Sequence, residues 1–274
     1  MNRRTVFFVS DQTGITAETL GRSLLTQFEG TDVRQVTLPF ISTVDKAQEA
    51  VRRIKLTARV EGRRPVVFAT FAHGELGDLI RESGALFFDF FDTFIEPLER
   101  EFEIRSSHTV GRTHGLSGDE SYQRRIDAMN YSLATDDGIG LKNYDEADVI
   151  LTGVSRTGKT PTCLYLALHY GVFAANYPLT DEDLEDTNLP KQLLKYRDKI
   201  FGLTIDADQL RRIRLERRPD SRYASAQQIN FELREAMAIF RRHGISYADT
   251  TDSSIEEISS TILHTMEIDR GDSR

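Results

Sequence analysis

"ADVILTGVSRTGKTPTCLYLALHYG", Ala147 to Gly171, reads as three joined pieces: an apolar run, a short loop, and a segment with helical spacing. "ADVILTG" has the composition of a buried strand, and Thr162, Leu166 and Tyr170 recur on one helix face before Gly171 closes the element. Pro161 suits the first helical turn, whose N–H groups lack intrahelical partners. The loop itself, Gly153, Val154, Ser155, Arg156, Thr157, Gly158, Lys159 and Thr160, fits G-x-x-x-x-G-K-[ST], the pattern of a phosphate-binding P-loop. A strand before that pattern and a helix after it form the context it requires.

Each residue type has a task in such a loop. Gly153 and Gly158 let the backbone turn tightly and approach phosphate oxygens, and the intervening N–H groups with the helix N-terminus supply positive potential. Lys159 neutralises the terminal phosphate, with its ammonium expected to be exposed in the empty loop, and Thr160 is the expected Mg²⁺ ligand. The N-K-x-D stretch that reads guanine is absent, which argues against a GTPase. "KIFGLTID" ends an apolar run on Asp206, which either joins Thr160 at the metal or caps the next helix.

Working outward, the runs "TVFFVS", "VRQVTLPFI", "PVVFATF" and "ALFFDFF" alternate with helix-like segments such as Thr16 to Phe28 and Val44 to Arg59. A second series, "DEADVILTG", "GVFAANYPL", "KIFGLTID" and "HGISYADTT", continues the alternation to the C-terminus. The expected fold is α/β, mainly a parallel sheet flanked by helices. An N-terminal α/β lobe, 1–105, would precede a P-loop kinase-like lobe, 106–274, with a single continuous domain as the alternative. The boundary falls in "RSSHTVGRTHGLSGDESYQ", which is rich in Ser, Gly, His and Thr. No internal repeat is apparent.

The 274 residues are 39% hydrophobic and 28% charged, the composition of a globular protein with a sizeable core. A net charge of -8 argues against a general nucleic-acid binder, so any anion must be held locally. One cysteine, Cys163, excludes an internal disulfide, suits the cytoplasm and reads as a core residue. No stretch has the length of a signal-peptide core or a membrane span.

Other residues carry chemistry beside a structural reading. In "RRIRLERRPDSRY", Arg218 and Arg222, with Arg217, are candidates to clamp a phosphoryl group, whereas Arg211, Arg212 and Arg214 read as a solvated helix face. "RIDAMNYSLATDDG" offers Asp137, Asp136 and then Asp127 as proton acceptors for a phosphoryl transfer, although Asp-Gly is also a turn signal. Ser10, Asp11, Thr13 and Thr16 read as helix-capping residues, with anion binding the alternative. His108 and His114 are acid–base candidates that lack zinc-ligand spacing.

Taken together, "VSDQTGITAE", "HGLSGDESYQRRIDAMNYSLATDDG", "GVSRTGKTPTCLYLALHYGVFAANYPLT", "KIFGLTID", "RRPDSRYAS" and "FRRHGISYADTTDSSIEEI" resemble the phosphoenolpyruvate synthase regulatory proteins over essentially the full chain. A sister branch acts on pyruvate, phosphate dikinase and commonly has Ser where this chain has Gly158. The resemblance implies a bifunctional serine/threonine kinase and phosphorylase. ADP would phosphorylate a threonine of phosphoenolpyruvate synthase, giving AMP, and inorganic phosphate would reverse this, giving pyrophosphate. It places the nucleotide on Gly153 to Thr160. The alternatives are a P-loop kinase for a small metabolite and a nucleotide-sensing regulator without enzymatic activity. A homodimer is expected on base rate alone.

Overall fold

The computed structural model describes residues 3–72, 74–107, 119–218 and 221–268. The chain divides into two compact units, Met1–Leu116 and Ser117–Arg274. In the first, β1 (Arg4–Ser10), β2 (Val33–Leu38), β3 (Val66–Thr70) and β4 (Leu86–Asp89) form an all-parallel sheet in the order β2-β1-β3-β4. Helices α1 (Ile15–Leu25), α2 (Val44–Glu61), α3 (Gly74–Arg81) and α4 (Phe90–Phe102) connect and cover it. Both faces of β1 are covered, so its interior is a continuous apolar run rather than an alternation. Phe7 and Val9 pack with Ile54 of α2 and Ile80 of α3, while Val6 and Phe8 pack with Ala17 of α1 and Phe90 of α4.

The run "ALFFDFF" is not one strand. Asp89 accepts hydrogen bonds from the backbone N–H groups of Phe91 and Asp92, so the chain turns into α4 at that carboxylate. At the other end of the unit, α1 begins at Gly14 in the left-handed conformation with no side-chain cap. Asp11 instead accepts from the Ala72 N–H, and Ser10 Oγ accepts from Gln12 N–H and Thr70 Oγ1, so these residues tie β1 to the end of β3.

The second unit contains α5 (Asp119–Ala134), β5 (Val149–Gly153), α6 (Lys159–Tyr170), β6 (Ala174–Pro178), β7 (Ile200–Thr204), α7 (Ala207–Arg217), α8 (Ala226–His243), β8 (Tyr247–Asp249) and α9 (Ile255–Thr265). Its sheet is also all parallel, in the order β6-β5-β7-β8. Ile150 and Ile200 pack toward Ile239 and Phe240 of α8, and Leu151 and Phe201 toward Cys163 and Leu166 of α6 and Ile262 of α9. Cys163 is thus a core residue.

The two units repeat one topology that the sequence hides. In each sheet the first strand lies between the second and the third. In each, the helix that follows the first strand starts at a left-handed glycine, Gly14 or Gly158, followed by Ile15-Thr16 or Lys159-Thr160. Covered strands need only apolar bulk, so the same winding survives without residue identity. Among the described residues, no helix is long and apolar enough to cross a membrane.

Gly153 fixes how closely β5 and β7 approach where the loop departs. Its φ is +141°, and a Cβ there would stand 2.3 Å from the Leu203 carbonyl oxygen, which the sheet holds in place. Gly153→Ala should therefore lower stability by about 2–3 kcal/mol through forced overpacking. Gly158→Ala, with open space around its Cβ, should lose only about 1–2 kcal/mol to its positive φ. Denaturant midpoints of the two variants test the ordering, and equal midpoints would contradict it.

Candidate active site at the phosphate loop

In open parallel sheets, ligands collect beyond the carboxyl ends of the strands where the winding reverses. In the second unit that place is the end of β5, flanked by β6 on one side and β7 on the other. The Gly153–Thr160 loop leaves β5 there, and a cavity of about 300 Å³ opens over it. Ser155, Arg156, Gly158, Lys159 and Thr160 line it, together with Asp137, Asn176, Arg217 and the apolar Pro161, Pro178 and Ile213.

The loop is tied down by its own atoms and by one buried cation. Thr157 Oγ1 donates to the Val154 carbonyl at 3.1 Å, and Arg156 sits at φ +79°, a left-handed conformation unusual for a side-chain-bearing residue. Arg214 is 0% exposed, so it is not part of a solvated face. Its guanidinium donates to the Ser155 carbonyl at 3.1 Å, the Tyr223 carbonyl at 3.0 Å and the Glu232 carboxylate at 2.6 Å, and stacks over the Tyr223 ring. The Tyr223 hydroxyl in turn shares a 2.9 Å hydrogen bond with Ser155 Oγ. Leu210 and Arg214, four residues apart, form the buried stripe of α7, and that spacing was the available sequence signal.

Lys159 is likewise buried, at 5% exposed, instead of standing free in solvent. Its Nζ donates to the Val154 carbonyl at 2.7 Å. Burial pushes its pKa down to about 8, with the Asp137 and Asp136 carboxylates acting in the opposite direction.

The Asp-Asp-Gly segment forms a single 3-10 turn, Asp136–Gly138, after α5, and it returns to the start of α6. Asp136 Oδ1 accepts from Thr160 Oγ1 at 2.9 Å and from Asn176 Nδ2 at 2.6 Å. Asn176 Nδ2 is also 3.2 Å from Thr160 Oγ1 and 3.5 Å from Asp137 Oδ1. Asp137 holds φ +50° and its side chain is exposed on the cavity wall. Asn176, on the otherwise apolar β6, is 1% exposed, and its Oδ1 is buried with no hydrogen-bond partner. A hydroxyl, two carboxylates and an unpartnered amide oxygen are all hard oxygen donors, so Thr160, Asp136, Asp137 and Asn176 fit Mg²⁺ by chemistry.

Other sequence candidates lie elsewhere. Asp127 is exposed on α5 and accepts from Gln123 Nε2, away from the cavity lining. Asp206 is the N-cap of α7, accepting from Asp208 and Gln209 N–H groups, and it does not line the cavity, so the metal role for it gives way to capping. Arg218 lines an adjoining hollow with Ser155, Arg217 and Tyr223. Arg222 lines a separate one with Asp181 and Glu185, where acids rather than the loop surround it. His108 and His114 lie outside the described residues. Asn176 and Glu232 were missed, because a lone polar residue in a strand or on a helix announces itself only once its neighbours in space are known.

The lowered pKa of Lys159 sets a testable sign. Above pH 8 the free lysine is largely neutral, and a bound phosphate anion beside it restores the charged form, so binding must take up a proton. Pyrophosphate binding at pH 9, followed by calorimetry in buffers of different ionisation enthalpy, should show proton uptake that is absent in Lys159→Gln. Equal uptake by both proteins would show that the lysine does not face the anion.

A family model described as kinase/pyrophosphorylase matches residues 6–263. A protein of Halorhodospira halophila is 56% identical over 95% of this chain and 96% of its own. One of Hahella chejuensis is 52% identical over 98% of each chain, and one of Alkalilimnicola ehrlichii is 51% identical over 98% and 97%. All three are named, provisionally, as phosphoenolpyruvate synthase regulatory proteins. The match covers most of both units and includes Gly153 to Thr160, and the chain belongs to the kinase/pyrophosphorylase family.

Proposed function

We propose that this protein is an ADP-dependent protein kinase and phosphate-dependent phosphorylase acting on a threonine of phosphoenolpyruvate synthase. The observation that carries the reading is the juxtaposition of a phosphate loop with an exposed carboxylate, Asp137, on one cavity wall. The relatives' names supply the target.

In the forward direction, the loop N–H groups, Lys159 and Arg156 hold the diphosphate of ADP. The threonine Oγ attacks the β-phosphorus, the bond from that phosphorus to the bridging oxygen breaks, and AMP leaves. Asp137 orients the hydroxyl and accepts its proton late in a loose transition state. In reverse, an oxygen of orthophosphate attacks the phosphothreonine, the P–Oγ bond breaks, the threonine oxygen regains a proton, and pyrophosphate leaves. Mg²⁺, when bound, would neutralise charge on the phosphate oxygens, and Thr160, Asp136 and Asn176 are the residues to hold it. Asp136 already accepts from Thr160 and Asn176, which suits it to positioning, whereas Asp137 keeps its carboxylate available. Cytoplasmic residence and a homodimer belong to the same proposal and enter none of these steps.

Intact-mass spectrometry of phosphoenolpyruvate synthase incubated with this protein and ADP should show one added phosphoryl group per modified chain, with AMP released. An unchanged mass with altered synthase activity would point to a regulator that binds without modifying, and turnover of a free metabolite alone would point to a small-molecule kinase. Asp137→Asn should keep ADP affinity within a few-fold and cut transfer at least about a hundred-fold. Normal transfer by that variant would move the base elsewhere.

A further inference from the structure

The hollow beside the loop cavity measures about 270 Å³ and is lined by Ser155, Arg217, Arg218 and Tyr223. Ser155 and Arg217 line both spaces, so the two share a wall. Among the described residues, the lining of the smaller one carries two guanidinium groups, two hydroxyls and no carboxylate, in a chain whose net charge is -8. Among the described residues, neither the Arg217 nor the Arg218 side chain forms an ion pair or a hydrogen bond. The neighbouring Arg214, by contrast, is engaged through both terminal nitrogens by Glu232 and two carbonyls. Adjacent unpaired cations repel each other, and that repulsion is relieved by an anion between them. A guanidinium fork matches the oxygens of a phosphate two at a time, which an ordinary solvated lysine pair would not do.

The hydroxyl side of the hollow is held rigidly. The Tyr223 ring lies under the Arg214 guanidinium at 4.1 Å, and its hydroxyl bonds Ser155 Oγ at 2.9 Å. Arg218 ends α7, with φ -142° and ψ 83°, while its N–H still bonds the Arg214 carbonyl, so its backbone is anchored where the helix stops. The geometry thus combines two cations that have no partner among the described residues with a preorganised pair of hydroxyls, one of them on the Gly153–Thr160 loop itself.

We infer that this hollow is a second phosphate subsite, taking the dianion of a phosphate monoester or of orthophosphate beside whichever anion, nucleotide diphosphate or orthophosphate, the loop cavity holds. This rests on the nucleotide reading given above for the loop. A second anion next to the first is what a reaction joining two phosphoryl groups requires, and Arg217, lining both spaces, would face each of them. Two sources share that chemistry, the phosphothreonine of a protein substrate and free orthophosphate.

The test is a calorimetric and ³¹P NMR titration of the full chain with orthophosphate and, separately, with a capped phosphothreonine peptide, each with and without saturating ADP and Mg²⁺. Both the wild type and Arg218→Gln are titrated, with Tyr223→Phe as a second variant that keeps the ring beneath Arg214. At least one probe should bind the ADP-loaded protein, and Arg218→Gln should weaken it about tenfold or more, the scale of one charged hydrogen-bonded contact. ADP affinity should change less than about two-fold in that variant. Tyr223→Phe should weaken the same probe to a smaller degree. Whichever probe shows the Arg218 dependence identifies the source. Probe binding that is unaffected by Arg218→Gln, binding that competes one for one with ADP, or no binding of either probe would each overturn the subsite. Failure of ADP itself to bind would overturn the nucleotide reading, while an Arg218-dependent phosphate site found without ADP would stand.

Discussion

A lysine ammonium held out of water against a single carbonyl is the constraint around which the second unit is arranged. Lys159 is 5% exposed, and its Nζ has the Val154 carbonyl as its hydrogen-bond acceptor. Desolvation of that cation costs free energy that one carbonyl recovers only in part. An anion arriving over the loop would recover more, which is the electrostatic support for the phosphate-binding proposal. The same expense explains why acids stand nearby, with Asp136 and Asp137 both raising the lysine's tendency to stay charged.

Those acids are held by a knot of three side chains from three separate segments. Asp136 comes from the turn after α5, Thr160 from the first turn of α6 and Asn176 from the middle of β6, and each hydrogen-bonds the other two. Such a closed set fixes a carboxylate better than any pair can, because moving one member strains two contacts. It also divides labour between adjacent aspartates. Asp136 is engaged, and Asp137, in a left-handed conformation one residue later, presents its carboxylate to the cavity. On the opposite wall, the Arg214–Glu232 pair under Tyr223 performs the equivalent service for Ser155. A buried pair of this kind adds little net stability, so its value lies in where it holds the loop.

The first unit shows what the winding alone provides. It has the same strand order and the same left-handed glycine at the start of the helix after its first strand. Three residues separate Ser10 from Gly14, against four between Gly153 and Gly158, and Ile15 stands where the second unit has Lys159. Asp11 bridges to the backbone at Ala72, across the place where the second unit keeps its loop free for a ligand. One topology therefore carries a buried lysine at the end of its first strand in one unit and an Asp11–backbone bridge there in the other.

The sequence by itself determined the elements whose signals are local. Apolar runs broken by helical spacing meant parallel α/β units. Eight residues matched the pattern of a phosphate loop, in which glycine freedom, a lysine and a hydroxyl recur at fixed spacing. Asp136 and Asp137 were readable as candidates because they precede the strand that feeds the loop. Tertiary structure alone decided the matters that depend on neighbours distant in sequence. It buried Lys159, turned Arg214 from an apparent surface charge into the loop's support, and recruited Asn176 from an apolar strand. It also made Asp206 a helix cap and left Arg217 and Arg218 without partners among the described residues, beside Ser155. Local patterns state which residues could carry a charge or a hydrogen bond, but desolvation and pairing are set by what surrounds them. Those surroundings come into being only when β5, β6, α7 and α8 pack.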